Sequence, residues 1–166
     1  CCLYGLVYDN EPSAKIFCVA NEKEQAGEVF GVAQQMVEMS PYLQGELEVL
    51  GSSIYYDRLG STILLKSAKA DSKHGANLHM VAYDEIHAAR SRALYEVLTI
   101  GSGAARRQPL QLIISTAGEN IAGIGYELWE MGKNLVAGIT ENPEHLVLIF
   151  AADPEDDPFD PKTWAK

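Results

Sequence analysis

The sequence predicts an α/β fold on a mainly parallel sheet covered by helices on both faces, and three observations carry that prediction. Short apolar runs of strand type alternate with segments of helical periodicity along most of the chain, as βαβ units do. Two runs, residues 78–83 and 110–114, are apolar enough to read as strands buried on both faces. Both end abruptly in polar residues, Asp84-Glu85 after the first and Ser115-Thr116-Ala117-Gly118 after the second. As neighbours, these two tips would share one carboxyl edge of the sheet, where open α/β sheets bind their ligands.

In chain order, residues 1–8 read as the end of a helix and Asp9-Asn10-Glu11-Pro12 as a turn cluster. Lys15-Ile16-Phe17-Cys18-Val19-Ala20 is a short β-type run. Asn21 stands where a helix cap would, with Glu24 at the capping-box position. Ala26, Val29, Phe30, Ala33, Met36 and Val37 then recur at helical spacing up to a stop near Ser40-Pro41. Three short β-type runs follow, 47–50, 53–56 and 61–65, separated by Gly51-Ser52 and Asp57-Arg58-Leu59-Gly60; they predict a small antiparallel excursion. Residues 68–77 are a polar loop leading into the central strand. After Glu85, residues 87–103 read as a helix with Leu94, Tyr95, Val97 and Leu98 on its apolar face, and residues 104–109 as a basic loop. Residues 121–136 read as a helix and 144–151 as a last strand. The Pro- and Asp-rich tail reads as the start of a linker, which divides the chain into a domain at 1–152 and a tail at 153–166.

The 166 residues suffice for one domain with a proper core, and 47% hydrophobic with 22% charged residues is the balance of a soluble globular protein. No apolar run is long enough to cross a bilayer, so no membrane partner is expected. The chain opens on Cys1-Cys2-Leu3-Tyr4-Gly5-Leu6, without a signal peptide or an initiator Met, and reads as a fragment. A net charge of −10 excludes a broad phosphate-binding surface, though not a few basic residues on one loop. Seven of the acidic residues lie between Glu141 and Asp160, with no Lys or Arg among them; that stretch is expected to face solvent or a basic partner. Cys1, Cys2 and Cys18 form no metal or disulfide pattern, and Cys18 reads as a small core residue in a reduced protein.

An ionised carboxylate is costly to bury without a partner, so two in succession belong where a strand emerges. In nucleotide-hydrolysing proteins such a pair is the Walker B element: the first acid, Asp84 here, holds Mg²⁺, and the second, Glu85, orients or activates the attacking water. Hydroxyls at the tip of a neighbouring strand, Ser115 and Thr116, are placed to bond the carboxylate and report its state. The plainer readings are an acidic first helical turn, which suits the helix dipole, and an ordinary helix cap. Gln25 has a plain reading as a surface amide of its helix. His79 and His87 flank the acids without metal-site spacing and read as structural. Arg106 and Arg107 are basic candidates for a contact with DNA or a neighbouring subunit, with solvated loop residues as the simpler reading. Lys73, on the loop ahead of the central strand, reads as a solvated residue lacking the fork of an arginine.

Taken together with their flanks, these motifs resemble the ATPase domain of the large terminase subunit of tailed bacteriophages. The matching pieces are Tyr8-Asp9-Asn10-Glu11-Pro12, Ala20-Asn21-Glu22-Lys23-Glu24-Gln25-Ala26, Val81-Ala82-Tyr83-Asp84-Glu85-Ile86-His87-Ala88, Ala105-Arg106-Arg107-Gln108-Pro109-Leu110, Ile114-Ser115-Thr116-Ala117-Gly118 and the tail from Asp153 through Trp164. The resemblance implies a three-layer αβα, RecA-like additional-strand P-loop ATPase core, N-terminally truncated here, with 1–152 a partial ATPase domain and 153–166 leading toward a nuclease. It implies Asp84 as the Mg²⁺ ligand, Glu85 as the catalytic glutamate and Ser115-Thr116-Ala117 as the coupling motif of an ATP-driven motor. Only this resemblance makes Lys73 a candidate basic finger. It implies double-stranded DNA, a portal protein, a small terminase subunit and further copies in a ring as partners, in the host cytoplasm and docked on the prohead. The sequence departs from the family in one respect: no G-x-x-x-x-G-K-[ST] phosphate loop occurs in it, and Met131-Gly132-Lys133-Asn134 is a partial match only. Two other readings fit the acids: a helicase of the D-E-x-H type, and a non-catalytic interaction domain without a phosphate loop.

Overall fold

The computed structural model describes residues 1–67, 77–89, 91–103, 106–153, 155–157 and 159–163. Its elements are α1 (Cys2–Val7), β1 (Lys15–Ala20), α2 (Lys23–Glu38), α3 (Pro41–Glu46), β2 (Glu48–Leu50), β3 (Ser53–Tyr56), β4 (Ser61–Ser67), β5 (Met80–Asp84), α4 (Ala93–Gly103), β6 (Leu110–Ile114) and α5 (Ile124–Val136). The strands form one sheet in the order β2-β3-β4-β1-β5-β6. β1 pairs in parallel with β4 and β5, and β5 with β6. The antiparallel excursion is β2-β3-β4, as the three short runs predict.

β1 and β5 lie inside the sheet, whereas β6, as apolar as they are and expected to be buried on both faces, is an edge strand, with Leu110 and Ile114 46% and 52% exposed. Ile16, Cys18, Val19 and Ala20 of β1 and Met80, Val81, Ala82 and Tyr83 of β5 are all buried, so these strands are covered on both faces. The register sets Ile16 beside Ile63 and Met80, and Cys18 beside Leu65 and Ala82, making one apolar face. Cys2, Leu6 and Val7 of α1 and Phe30, Ala33 and Val37 of α2 pack onto that face. Each fully buried aliphatic side chain there contributes roughly 1.5–3 kcal/mol. Cys18 bears out its reading as a core residue. Its thiol donates to Cys2 Sγ across 3.9 Å, which lowers the Cys2 thiol to about 7 and raises that of Cys18. On the opposite face Gln111 stands in register with Val81, and its amide donates to Ser102 Oγ at 2.7 Å, so α4 forms the third layer.

Several boundaries differ from the sequence expectation. α2 is capped at Glu22 rather than Asn21, with no side-chain cap bond and hence no capping box. Ser40-Pro41 stops α2 and also starts α3: the Ser40 hydroxyl accepts from Leu43 N–H, and Pro41 fits the first helical turn. After Glu85 the chain makes a 3₁₀ turn at Ile86–Ala88, and the helix begins only at Ala93. α5 starts at Ile124 because Asn120 ties the preceding turn, its side-chain oxygen accepting from Ala122 N–H at 3.1 Å. The predicted loop at 68–77 lies outside the described residues apart from Asn77.

The structure divides into two compact units, Cys1–Glu127 and Leu128–Lys166. In the second, the expected strand at 144–151 does not form: the residues there carry no strand ladder. Val147 lies against α5, where a Cβ at Gly132 would stand 3.0 Å from it. The alternate residues Leu146 and Phe150 are 87% and 94% exposed. The run has the composition of a strand and, among the described residues of its unit, no strand to pair with.

The amino edge of the sheet is tied by a charged knot. Arg106, in the segment before β6, reaches the turn before β1. Its guanidinium pairs with Glu11 at 2.8 Å and donates to the carbonyls of Pro12, Ser13 and Asn77. Their side chains are 7% and 16% exposed. Beside it, the His79 ring, buried at the start of β5, bonds Asp9 Oδ2 at 2.7 Å, which bears out its structural reading. Removing one partner of a buried pair strands the other charge. Arg106→Ala is therefore expected to destabilise the fold by about 3 kcal/mol in urea titration. Arg107→Ala, at an exposed side chain, should stay within about 0.5 kcal/mol.

Candidate active site

The tips of β5 and β6 meet. Asp84 is in register with Ile114, so Asp84-Glu85 and Ser115-Thr116 leave the sheet at the same carboxyl edge. Glu85 N–H donates to the Ile114 carbonyl at 2.8 Å, and there the chain turns. Glu85 adopts a left-handed backbone, φ 53° and ψ 50°. For a residue with a Cβ that conformation costs roughly 1–2 kcal/mol. Such strain concentrates at functional sites, where surrounding contacts enforce it. Here the Glu85 carbonyl accepts from Asn21 Nδ2 at 2.9 Å and from Ala88 N–H at 3.0 Å. Asn21 Oδ1 in turn accepts from the Tyr83 hydroxyl at 3.2 Å, and burial raises the Tyr83 pKa, which keeps that donor protonated.

The left-handed turn sends the Glu85 side chain toward the tip of β6. Its Oε2 accepts from Thr116 Oγ1 at 3.1 Å and, more loosely, from Thr116 N–H at 3.4 Å. The same oxygen lies 2.8 Å from His87 Nδ1. His87 Nδ1 is also 3.0 Å from Ser115 Oγ, and the His87 backbone N–H donates to that oxygen at 3.2 Å. The Ser115 hydroxyl donates to the Thr116 carbonyl at 3.1 Å. His87 fits because two glycines leave room for it. A Cβ at Gly118 would lie 2.6 Å from His87 Cβ, and one at Gly125 would lie 2.7 Å from His87 Cα.

Asp84 is half-buried beside this network, and among the described residues no hydrogen bond or ion pair engages its carboxylate. Nor do the described residues hold a group of three or more His, Cys, Asp or Glu side chains suited to a metal. That donor set does not suit zinc, which wants four protein or near-protein ligands. It fits Mg²⁺, which keeps several waters and takes one or two carboxylates together with substrate phosphates.

The structure thus gathers Asp84, Glu85, Ser115 and Thr116, with Ala117 next in the same exposed loop. Arg106 and Arg107 lie before the start of β6, at the other edge of the sheet. Arg106 is committed to Glu11 and the carbonyls around it. Lys73 lies outside the described residues. Gln25 is half-buried near the start of α2. Asn21 escaped the sequence reading as a site residue because an Asn after a strand looks like a cap. Its true partner is 64 residues away. His87 was legible as a neighbour of the acids but not as a bridge between them and Ser115.

Comparisons with known proteins bear on the family and the fold. Residues 1–134 match the family model described as terminase large subunit, ATPase domain. Protein YmfN of Escherichia coli (strain K12) is 37% identical over 92 residues, 55% of this chain and 20% of YmfN. The large terminase of bacteriophage HK97 shares the fold with a TM-score of 0.80 at 23% identity, over 98% of this chain and 34% of that one. A variant of the large terminase ATPase domain of Thermus phage P74-26 aligns with a TM-score of 0.55 at 25% identity, over 78% of this chain and 57% of that one. The chain therefore spans only a minor part of YmfN and of the HK97 protein. The close approach at His87 is open to a direct check. A methyl group at Gly125 would meet backbone that cannot swing aside, so Gly125→Ala should lower the unfolding free energy by about 1–3 kcal/mol in denaturant titration.

Proposed function

The chain belongs to the terminase large subunit family, in the ATPase domain, and from that premise we propose that Asp84 and Glu85 hydrolyse ATP in a motor that drives double-stranded DNA into a prohead. The observation that carries the proposal is the strained Glu85 turn, which holds one carboxylate against Thr116 beside Asp84, whose carboxylate has no partner among the described residues. Family membership favours this reading over the D-E-x-H helicase.

In the proposed mechanism Asp84 would hold Mg²⁺, which when bound would neutralise phosphate charge. Glu85 orients a water in line with the γ-phosphorus and takes its proton as the new P–O bond forms. The bond from the γ-phosphorus to the β–γ bridging oxygen breaks, and ADP leaves with the electron pair. The Ser115-Thr116-Ala117 loop, bonded to Glu85 through Thr116, moves with the state of the site and passes that movement on. Double-stranded DNA, a portal protein, a small terminase subunit and further copies in a ring are the partners this activity calls for, in the host cytoplasm at the prohead. Residues 1–152 would belong to the ATPase domain and 153–166 to the start of a linker.

The 166 residues contain no phosphate-loop motif, whose backbone N–H groups and Lys would cradle the phosphates. They are therefore expected to turn over little or no ATP by themselves; a rate close to that of a complete terminase would overturn this. In the longest natural chain that carries these residues, Glu85→Gln should lower kcat about a hundredfold or more and leave nucleotide affinity nearly intact. Unchanged turnover would remove Glu85 from the mechanism.

A further inference from the structure

We propose that His87 is a positioning residue that fixes which oxygen of Glu85 meets the attacking water and ties that oxygen's partner to the Ser115-Thr116 turn. The inference rests on the reading of Glu85 as the general base and adds a residue to which the sequence alone gives a structural role.

The proton inventory at His87 assigns its tautomer. An ionised carboxylate only accepts, so a group 2.8 Å from Glu85 Oε2 must donate. Ser115 has one hydroxyl proton, and it lies on the Thr116 carbonyl. What remains at Ser115 Oγ accepts: from His87 N–H at 3.2 Å, and from the ring at 3.0 Å. His87 Nδ1 therefore carries the hydrogen and shares it between Glu85 Oε2 and Ser115 Oγ. A histidine tautomer fixed by its hydrogen-bond partners is a common way of orienting a neighbouring group.

Two consequences follow for the carboxylate. Oε2 is engaged by His87 and by Thr116, whereas Oε1 has no partner among the described residues. The oxygen left to accept a proton from water is thus Oε1, and the side chain cannot rotate to exchange the two without breaking the bonds to His87 and Thr116. The ring is itself held, since Gly118 and Gly125 admit the His87 Cβ and backbone with no slack for an added methyl. Because one N–H serves both Glu85 and Ser115, a displacement of the Ser115-Thr116 turn would withdraw the Thr116 donors and shift the His87 donor together. The base would then lose its orientation when the turn moves, which couples loop position to hydrolysis at a single hydrogen. A histidine serving only as packing would need none of these polar contacts.

The test uses the longest natural ATP-hydrolysing chain that carries these residues. His87→Ala is expected to lower kcat about tenfold or more, because misplacing a reacting group by an ångström is costly, while KM for ATP and the melting temperature change little. His87→Asn, whose side-chain amide reaches the position of Nδ1, should recover much of the rate; His87→Gln, whose amide lies nearer the position of Nε2, should not. In a Glu85→Gln background, His87→Ala should cause no further loss, since it acts through that carboxylate. If His87→Ala does not fold, the contrast between Asn and Gln decides alone. Equal rates for Asn and Gln, an unchanged kcat in His87→Ala, or losses that multiply with Glu85→Gln would each overturn the proposal. A collapse in Glu85→Gln with full activity in His87→Ala defeats this inference and leaves the general-base reading standing; unchanged turnover in Glu85→Gln defeats both.

Discussion

One residue held in an unfavourable backbone conformation organises the carboxyl edge of this sheet. A strand as apolar as β5 must give way to polar sequence where it meets water. An acidic side chain continuing straight on would point out into solvent. The left-handed turn at Glu85 redirects it sideways, across the gap to the next strand. The strain is tolerable because the backbone on either side is fastened: the amide to Ile114, the carbonyl to Asn21 and Ala88. The roughly 1–2 kcal/mol of strain is of the order of one or two net hydrogen bonds. Sheet pairing, the Tyr83–Asn21 bond and the room left by Gly118 and Gly125 can all be understood as what keeps that conformation in place.

The two edges of the sheet divide the charged residues between them by purpose. At the amino edge Arg106 and Glu11 are nearly out of water, closed into a knot with backbone carbonyls, and His79 with Asp9 sits alongside. At the carboxyl edge Asp84 has no partner among the described residues, and Glu85 and His87 remain partly open to solvent. Paired charges at the amino edge hold elements together; a half-buried carboxylate with no partner among the described residues is poised for a ligand. A single chain with a net charge of −10 can thus spend one of its few arginines on structure.

Much of this was legible in the sequence because it is periodic or terminal. The runs at 15–20, 80–84 and 110–114 are strands for reasons written in their composition, and their polar ends mark the edge. The short antiparallel excursion is announced by its turn residues. What escaped the sequence depends on partners far away in the chain. Asn21 resembles a helix cap until the Glu85 carbonyl comes into view. Arg106 looks like a solvated loop residue until the fold brings Glu11 to it, across 95 positions. The helix expected from His87 starts six residues later, at Ala93, because Glu85 takes the left-handed conformation and the chain spends a 3₁₀ turn recovering from it. The run at 144–151 has strand composition, and composition alone does not supply a neighbour.

That last stretch has a practical side. Its backbone donors and acceptors run unladdered beside Leu146, Leu148 and Phe150, all open to water. A β-branched and aromatic run of this kind, with Glu144 as its one acidic residue, is a template on which another molecule can build a strand. At high concentration such pairing between copies is favoured. The acidic residues that follow, from Asp153 onward, supply like-charge repulsion that opposes such stacking, and that opposition weakens as salt rises.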